Sequence, residues 1–154
     1  PIAEVLKESL ASLAVHAKKS GITIENTVSE SLPPVFADKS RLKEVFDNLI
    51  TNAIKYNKEK GSVIITAESE TGGVAVHVRD QGKGISVEDE RHIFEKFWRS
   101  VDAHAIEGTG LGLFIVKQLV TLMYGRVSFS SETGLGTVFS VFLPTSSQSN
   151  TIPN

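Results

Sequence analysis

Four short segments of the chain alternate between apolar and polar residues, and they occur as two pairs. The first pair covers 61–69 and 72–80, and the second covers 126–132 and 136–144. A period of two with many β-branched residues predicts strands, and the turn-like ETGG between the first two predicts an antiparallel hairpin. Strands with one apolar face need a second layer to cover it, so this pattern requires helices elsewhere in the chain.

Helical periodicity elsewhere in the chain predicts the helices of that second layer. In 39–57 the apolar residues recur at helical spacing on one side, and they are Leu42, Val45, Phe46, Leu49, Ile50 and Ala53. Asp38 suits the N-cap of this helix. Apolar spacing also predicts a helix from Val5 that ends near Gly21, and another over 111–125.

Two further short strands, 22–28 and 33–38, are predicted on either side of a proline turn. The resulting order is helix, strands, helix, strands. This order predicts an α+β fold, in which one mixed, mostly antiparallel sheet carries helices on one face in a two-layer sandwich.

Length and charge bound the organisation of the chain. It has 154 residues, a formal net charge of −2 and no cysteine. The net charge gives no sign of the basic surface that nucleic-acid binding needs. The absence of cysteine excludes disulfides and thiolate metal sites. No apolar run approaches the roughly 20 residues of a transmembrane helix. We expect a domain over 22–144, a leading helix or linker over 1–21 and a disordered polar tail over 145–154. The start at Pro1 suggests an excised fragment.

Three polar side chains share one stripe of the long helix. Asn48, Asn52 and Lys55 lie at i, i+4 and i+7, at the margin of the apolar sector. Two asparagines in mid-helix oppose helix propensity without an obvious packing gain. The stripe is either a solvated face or a site where amide oxygens meet a hard cation and an ammonium meets phosphate.

The loop DQGKGI begins with Asp80 at a strand end and has glycines at 82 and 84. It is either a plain turn or a base pocket, in which the carboxylate accepts from an exocyclic amine and the glycines admit a flat ring.

The stretch GTGLGL, residues 108–113, places glycines at alternate positions directly before a helix. It is either a hinge or a polyphosphate cradle, because a helix N-terminus presents unpaired N–H groups to anions. A P-loop is excluded, since the residues around Gly82 and Lys83 do not follow G-x-x-x-x-G-K-[ST]. A dinucleotide fingerprint is also excluded, because the spacing is G-x-G-x-G after a polar stretch.

Aromatic residues stand between these two loops. We assign Phe94 to the core, whereas Phe97 and Trp98 adjoin the polar stretch 101–107 and would anchor a lid. Arg99 would then meet phosphate. The final GLGT, residues 134–137, is either a hairpin turn or a further wall of the pocket.

In this order and with these gaps, the motifs resemble the ATP-binding catalytic domain of sensor histidine kinases, in the GHKL superfamily with its Bergerat fold. NLITNAIKYN resembles the N box of that family, DQGKGI the G1 box, FEKFWR the F box, GTGLGL the G2 box and GLGT the G3 box. The resemblance covers about residues 22–144, and five motifs in register make it specific.

The resemblance implies roles for individual residues. Asn52 would ligate the Mg²⁺ that bridges the phosphates, with Asn48 beside it toward the γ-phosphate. Lys55 would contact phosphate, so Asn48 and Lys55 are the implied catalytic residues, and Asp80 would recognise the adenine amino group. The other implied ATP-binding residues are Tyr56, Gly82, Gly84, Ile85, Arg99, Gly108, Thr109, Gly110, Leu111, Gly112, Leu113 and Thr137. Residues 101–107 would form the mobile ATP lid.

The implied function is that of a protein histidine kinase. Such a domain binds Mg²⁺-ATP and donates the γ-phosphate to a histidine on a separate dimerisation domain, with a response regulator downstream. The resemblance implies a cytoplasmic, monomeric fragment that contacts neither nucleic acid nor membrane, even if the parent protein is membrane-anchored.

The acceptor histidine is expected outside this chain. None of its four histidines has the His-Glu setting of the family's acceptor; they are His16, His77, His92 and His104. Two alternatives remain open, an anti-sigma-type serine kinase and a non-catalytic ATP-binding or interaction module. A GHKL ATPase is disfavoured, because Asn48 stands near the place of that class's glutamate and an amide cannot take a proton from water.

Overall fold

A computed structural model describes residues 1–96 and 111–145 of the chain. The helices are α1 (Ile2–Lys19), α2 (Lys39–Lys55), α3 (Val87–Glu90) and α4 (Gly112–Leu122). The strands are β1 (Thr23–Asn26), β2 (Ser62–Glu70), β3 (Gly73–Arg79), β4 (Arg126–Glu132) and β5 (Gly136–Pro144). Of the predicted elements, the long helix and the four alternating segments are therefore confirmed to within a few residues.

The strands form one sheet in the order β1-β2-β3-β5-β4. The short strand β1 pairs in parallel with β2, and the three other pairings are antiparallel. The predicted mixed, mostly antiparallel sheet is confirmed. The two hairpins meet through β3 and β5, and this places the end of β3 beside the start of β5.

One face of the sheet packs against the helices. Its buried side chains alternate along the strands, and they include Val63, Ile65, Val74, Val76, Val78, Val141 and Leu143. From the other layer α2 contributes the predicted apolar sector, in which Phe46 and Ile50 are fully buried, and α4 contributes Val116 and Val120. Full burial of an aliphatic or aromatic side chain contributes about 1.5–3 kcal/mol, so this layer contact dominates the stability of the fold.

The other face of the sheet is more open. Thr66 and Arg79 are exposed there, and they line a groove of about 470 Å³ together with Ile64, His77 and Val138. Successive side chains along a strand point to opposite faces of the sheet. Arg79 lines the groove, so the next residue, Asp80, points to the other side, toward the helical layer.

The segment 33–38 is not a strand, so that prediction is wrong. Pro33 and Pro34 have no N–H group to give to a ladder. The segment instead makes one backbone bond to the sheet, from the N–H of Phe36 to the carbonyl of Pro144 at 2.8 Å. The predicted N-cap is confirmed, because the Asp38 carboxylate accepts from the N–H of Arg41 at 2.9 Å.

Helix α1 belongs to the same hydrophobic core as the sheet. Ile2, Val5 and Leu6 are buried, and α1 packs along α2. The helix ends where Gly21 takes a positive φ of 70°. There the N–H of Ile22 bonds the carbonyl of Ala17 at 3.0 Å, as in a Schellman motif. Within the described residues, no helix combines the length and apolar character needed to span a membrane.

Candidate nucleotide-binding site

Asp80 is the buried polar group around which the candidate site is built. It directly follows β3 and is only 6% exposed. Its Oδ1 accepts from the N–H of Gly82 at 2.9 Å and from the N–H of Thr137 at 3.2 Å. Its Oδ2 has no hydrogen-bond partner within residues 1–96 and 111–145. One carboxylate oxygen is therefore held by the backbone, and the other remains able to accept from a ligand.

Three segments of the chain approach one another closely around Asp80, and this explains the glycines there. A Cβ on Gly82 would overlap the carbonyl oxygen of Tyr56, at the end of α2. At Gly84, where φ is +81°, a Cβ would lie 2.6 Å from the carbonyl oxygen of Glu132. Gly136 has a φ of +121°, and a Cβ there would overlap the carbonyl of Asp80 itself. The G1-like loop, the end of α2 and the β4–β5 hairpin thus form one compact cluster.

Three predicted residues complete this cluster. Thr137 is buried, and its Oγ1 lies 3.0 Å from the Oγ of Ser131. Ile85 is half-buried, packs against the core and donates its N–H to the Oγ of Ser131 at 2.6 Å. Tyr56 is half-buried and forms the C-cap of α2. All of the predicted base-pocket residues are therefore brought together.

The polar stripe of α2 faces the start of α4. Asn48, Asn52 and Lys55 are all half-buried, as expected at the margin of the apolar sector. The Nδ2 of Asn48 donates to the carbonyl of Glu44 at 2.9 Å, which leaves its Oδ1 directed elsewhere. A Cβ on Gly112 would lie 3.3 Å from that Oδ1. The packing of α2 against α4 therefore places an amide oxygen beside a helix N-terminus.

The N-terminus of α4 has no side-chain cap. Its N-cap residue is Leu111, which makes no capping hydrogen bond, so no side chain of residues 1–96 or 111–145 caps the first N–H groups of α4. Such a terminus is suited to an anion. Leu113 is half-buried and packs against the core with its side chain. Asn48 and Tyr56 lie about 12 Å apart along α2, at 1.5 Å per residue.

Part of the predicted site lies outside the described residues. These predictions concern Phe97, Trp98, Arg99, the lid 101–107, Gly108, Thr109 and Gly110. Phe94 is described, and its ring meets those of Phe129 and Phe139 edge-on, with centroids 6.1 and 6.4 Å apart. Its assignment to the core is confirmed.

Three residues of this region were not predicted from the sequence. Asn57 donates to the carbonyl of Ser62 at 2.9 Å, and its Oδ1 accepts from the N–H of Gln81 at 3.3 Å. The Oε1 of Gln81 accepts from the N–H of Ser62 at 3.0 Å. Ser131 joins two loops, as described above. Each bond links segments 5 to 46 residues apart, so local spacing contains no sign of it.

The histidines are committed elsewhere or lie far from the cluster in sequence. His77 faces the open side of the sheet, where its Nδ1 is 2.7 Å from the Oγ of Ser140 and its Nε2 is 3.1 Å from Glu68. His92 lies 2.8 Å from a carboxylate oxygen of Glu95. His16 lies in α1, and His104 is outside the described residues.

The burial of Asp80 predicts a pH-dependent difference between the wild type and Asp80→Asn. Burial raises the pKa of Asp80, and the N–H groups of Gly82 and Thr137 offset part of that rise. The ionised form is disfavoured in the folded chain, so the wild type should be the less stable protein above the folded pKa. As the pH falls through that pKa toward the ordinary aspartate value of about 3.9, the free energy of unfolding of the wild type should approach that of Asp80→Asn. Urea unfolding of both proteins at about pH 7 and about pH 4 measures the difference, and a constant difference would contradict the prediction.

Comparison with known proteins assigns this geometry to a family. The sequence profile described as "Histidine kinase-, DNA gyrase B-, and HSP90-like ATPase" matches residues 37–147. Sensor histidine kinase ZraS of Escherichia coli (strain K12) is 33% identical over 140 residues, which cover 91% of this chain and 29% of that protein. The chain spans between 19% and 39% of the length of the curated relatives that it matches.

Solved structures show the same fold. The catalytic domain of histidine kinase ThkA, in a nucleotide-free form, has a TM-score of 0.80 at 28% identity, with 93% of each chain covered. Full-length ShkA in complex with AMPPNP has a TM-score of 0.81 at 32% identity, covering 96% of this chain and 31% of that one. The expected Bergerat fold is confirmed. The chain belongs to the family of histidine kinase-, DNA gyrase B- and HSP90-like ATPases, within which it is an ATP-binding catalytic domain of the sensor histidine kinase type.

Proposed function

We propose that this domain binds Mg²⁺-ATP and donates the γ-phosphoryl group to a histidine on a separate, dimerising helical domain. The observation that carries the proposal is the buried Asp80 carboxylate, whose Oδ1 is held by two backbone N–H groups while its Oδ2 stays available. A buried carboxylate oriented in this way suits the exocyclic amine of adenine. The triphosphate would then extend along α2 toward Asn48 and the start of α4.

The chemistry of phosphoryl transfer needs positioning and charge stabilisation more than covalent help from the protein. Lys55 and the uncapped N–H groups of α4 would neutralise charge that develops on the phosphoryl oxygens. Asn48 offers an amide oxygen, which cannot act as a general base toward water. We therefore expect slow hydrolysis, with the γ-phosphoryl group kept for an incoming nucleophile.

The donor set fits a magnesium ion that shares its ligands with a nucleotide. Residues 1–96 and 111–145 contain no group of three or more His, Cys, Asp or Glu side chains that would hold a metal alone. Mg²⁺ is commonly held by one or two protein oxygens together with phosphates and water. The Oδ1 of Asn52 would be such a ligand, and the ion would withdraw charge from the phosphates when bound.

The partners follow from the family. Sensor kinases among the relatives are much longer than this chain, so we place the acceptor histidine and the dimerising helices in the remainder of a parent protein. A response regulator would receive the phosphoryl group afterwards. We place the domain in the cytoplasm, where ATP is available, as a monomer when isolated. Residues 22–144 would be the catalytic unit, with 1–21 leading in from the helical domain and 145–154 as a tail.

The isolated chain is expected to bind Mg²⁺-ATP without phosphorylating itself. Incubation with γ-labelled ATP should leave the chain unlabelled, because no acceptor histidine is present. A separately produced dimerisation domain from a relative, in excess, should become labelled on histidine, with acid-labile and base-stable label. Its His→Gln variant is the matched control. A phosphoramidate on the isolated chain would contradict the absence of an acceptor, and label on a serine would support a serine kinase instead.

A further inference from the structure

Ser131 connects two of the three segments that surround Asp80, the G1-like loop and the β4–β5 hairpin. It is a half-buried residue of β4, the edge strand of the sheet. Its Oγ accepts the N–H of Ile85 at 2.6 Å, lies 3.0 Å from the Oγ1 of Thr137 and reaches the carbonyl of Gly136 at 3.3 Å. One hydroxyl thus touches the G1-like loop and the first two residues of β5.

These three contacts are compatible with one serine hydroxyl. A hydroxyl can accept two hydrogen bonds and donate one. Ser131 can therefore accept from the N–H of Ile85 and from the hydroxyl of Thr137, while donating to the carbonyl of Gly136. All of its hydrogen-bonding capacity is used, as expected for a half-buried group with a structural task.

The hydroxyl of Ser131 holds the same two segments that orient Asp80. The Oδ1 of Asp80 accepts from Gly82, in the loop that Ser131 bonds through Ile85. It also accepts from Thr137, whose hydroxyl meets Ser131 directly. Two backbone bonds also join this loop to the hairpin, from the N–H of Gly134 to the carbonyl of Lys83 at 2.7 Å and from the N–H of Asp80 to the carbonyl of Thr137 at 2.9 Å. No side-chain substitution removes either of them, and neither holds the Ile85 end of the loop.

We propose that Ser131 is a positioning residue for base recognition: its hydroxyl fixes the loop 80–85 against the β4–β5 hairpin, and so sets the direction in which the Asp80 carboxylate meets the purine. The proposal rests on the nucleotide-binding function proposed above. Ser131 itself need not touch the nucleotide, so its effect should appear as a loss of discrimination between bases.

The test compares Ser131→Ala with Ser130→Ala and Ser131→Thr in the full chain. Ser130 is the adjacent exposed serine, so its variant is the matched control. Calorimetric titration gives the Kd for ATP and for inosine triphosphate, which lacks the 6-amino group. Ser131→Ala should weaken ATP binding about tenfold and reduce the preference for ATP over inosine triphosphate by about threefold or more. Ser130→Ala should bind as the wild type, and Ser131→Thr, which keeps the hydroxyl, should restore the preference.

A second measurement does not depend on nucleotide. Hydrogen exchange in the nucleotide-free protein should show the Ile85 amide exchanging about tenfold faster in Ser131→Ala, with the amides of the β3–β5 ladder unchanged. Unchanged Ile85 exchange, an unchanged ATP preference, or a threonine variant as impaired as alanine would each overturn the proposal. If the wild type failed to bind ATP, the proposed function would fail, and the exchange of Ile85 would still decide whether Ser131 holds the loop.

Discussion

Replacing Asp80 by asparagine is expected to weaken ATP binding by about 10- to 150-fold, while the free energy of unfolding stays equal or rises. A hydrogen bond to a charged group contributes about 1.5–3 kcal/mol, and each 1.4 kcal/mol changes Kd tenfold. The fold should tolerate the change, because the Oδ1 of asparagine can still accept from Gly82 and Thr137. Loss of function without loss of stability would separate a recognition role from a structural one.

The orientation of that asparagine adds a sharper expectation. With Oδ1 held by the two backbone N–H groups, Nδ2 must occupy the place of the free carboxylate oxygen. It then presents a donor to the donating amino group of adenine, but a suitable partner to the 6-oxo group of inosine. Asp80→Asn should therefore lose ATP affinity and gain in relative preference for inosine triphosphate.

Calorimetric titration with both nucleotides, with and without Mg²⁺, measures this change of preference. Glu88→Gln is the matched control, since it removes one carboxylate charge at an exposed position of α3. An equal loss of affinity for both nucleotides would place Asp80 away from the base. Unchanged ATP affinity would overturn the proposed site altogether.

Gly82→Ala is expected to disrupt both the site and the fold around it. The added methyl group would overlap the carbonyl oxygen of Tyr56, which is backbone and cannot rotate away. The G1-like loop would have to move from the end of α2, and overpacking of this kind costs about 1–3 kcal/mol. Because the N–H of Gly82 holds Asp80, ATP affinity should fall by about tenfold or more as well.

Gly134→Ala provides the control for Gly82→Ala. A Cβ at Gly134 meets nothing within 4 Å, and its φ of +85° adds only the strain of a left-handed residue, about 1–2 kcal/mol. Thermal unfolding should thus rank the two variants, with Gly82→Ala the less stable, and only Gly82→Ala should lose ATP affinity. Equal stability of Gly82→Ala and the wild type would mean that the loop and α2 are not in contact.

Much of the fold could be predicted from local spacing alone. The period of two along β2–β5 and the apolar sector of α2 are properties of neighbouring residues, and both elements appear nearly where the pattern placed them. The segment 33–38 was predicted as a strand because it is short and contains β-formers, yet its two prolines leave it one bond to the sheet. Helix α1 was recognised as a helix, but its burial in the common core was not.

The candidate site also has a part that could be predicted from the sequence and a part that could not. The amide stripe of α2 and the glycine loops were visible in the sequence, because each motif is contained in a few consecutive residues. The contacts of Ser131 and Asn57 were not, since a half-buried serine in an alternating strand has the same local pattern as a solvated one. The pairing of β3 with β5 determines which serine of the alternating strand faces Ile85.

The sequence by itself therefore determined the elements, the order of the motifs and the family to which they belong. Only the tertiary structure decided that Asp80 is buried with one oxygen held and one available, and that Asn48 faces the start of α4. The physical reason is range: periodicity and propensity act over three or four residues. The orientation of a carboxylate, in contrast, depends on N–H groups from segments as far apart as 57 residues, and these meet only when the sheet and helices have packed.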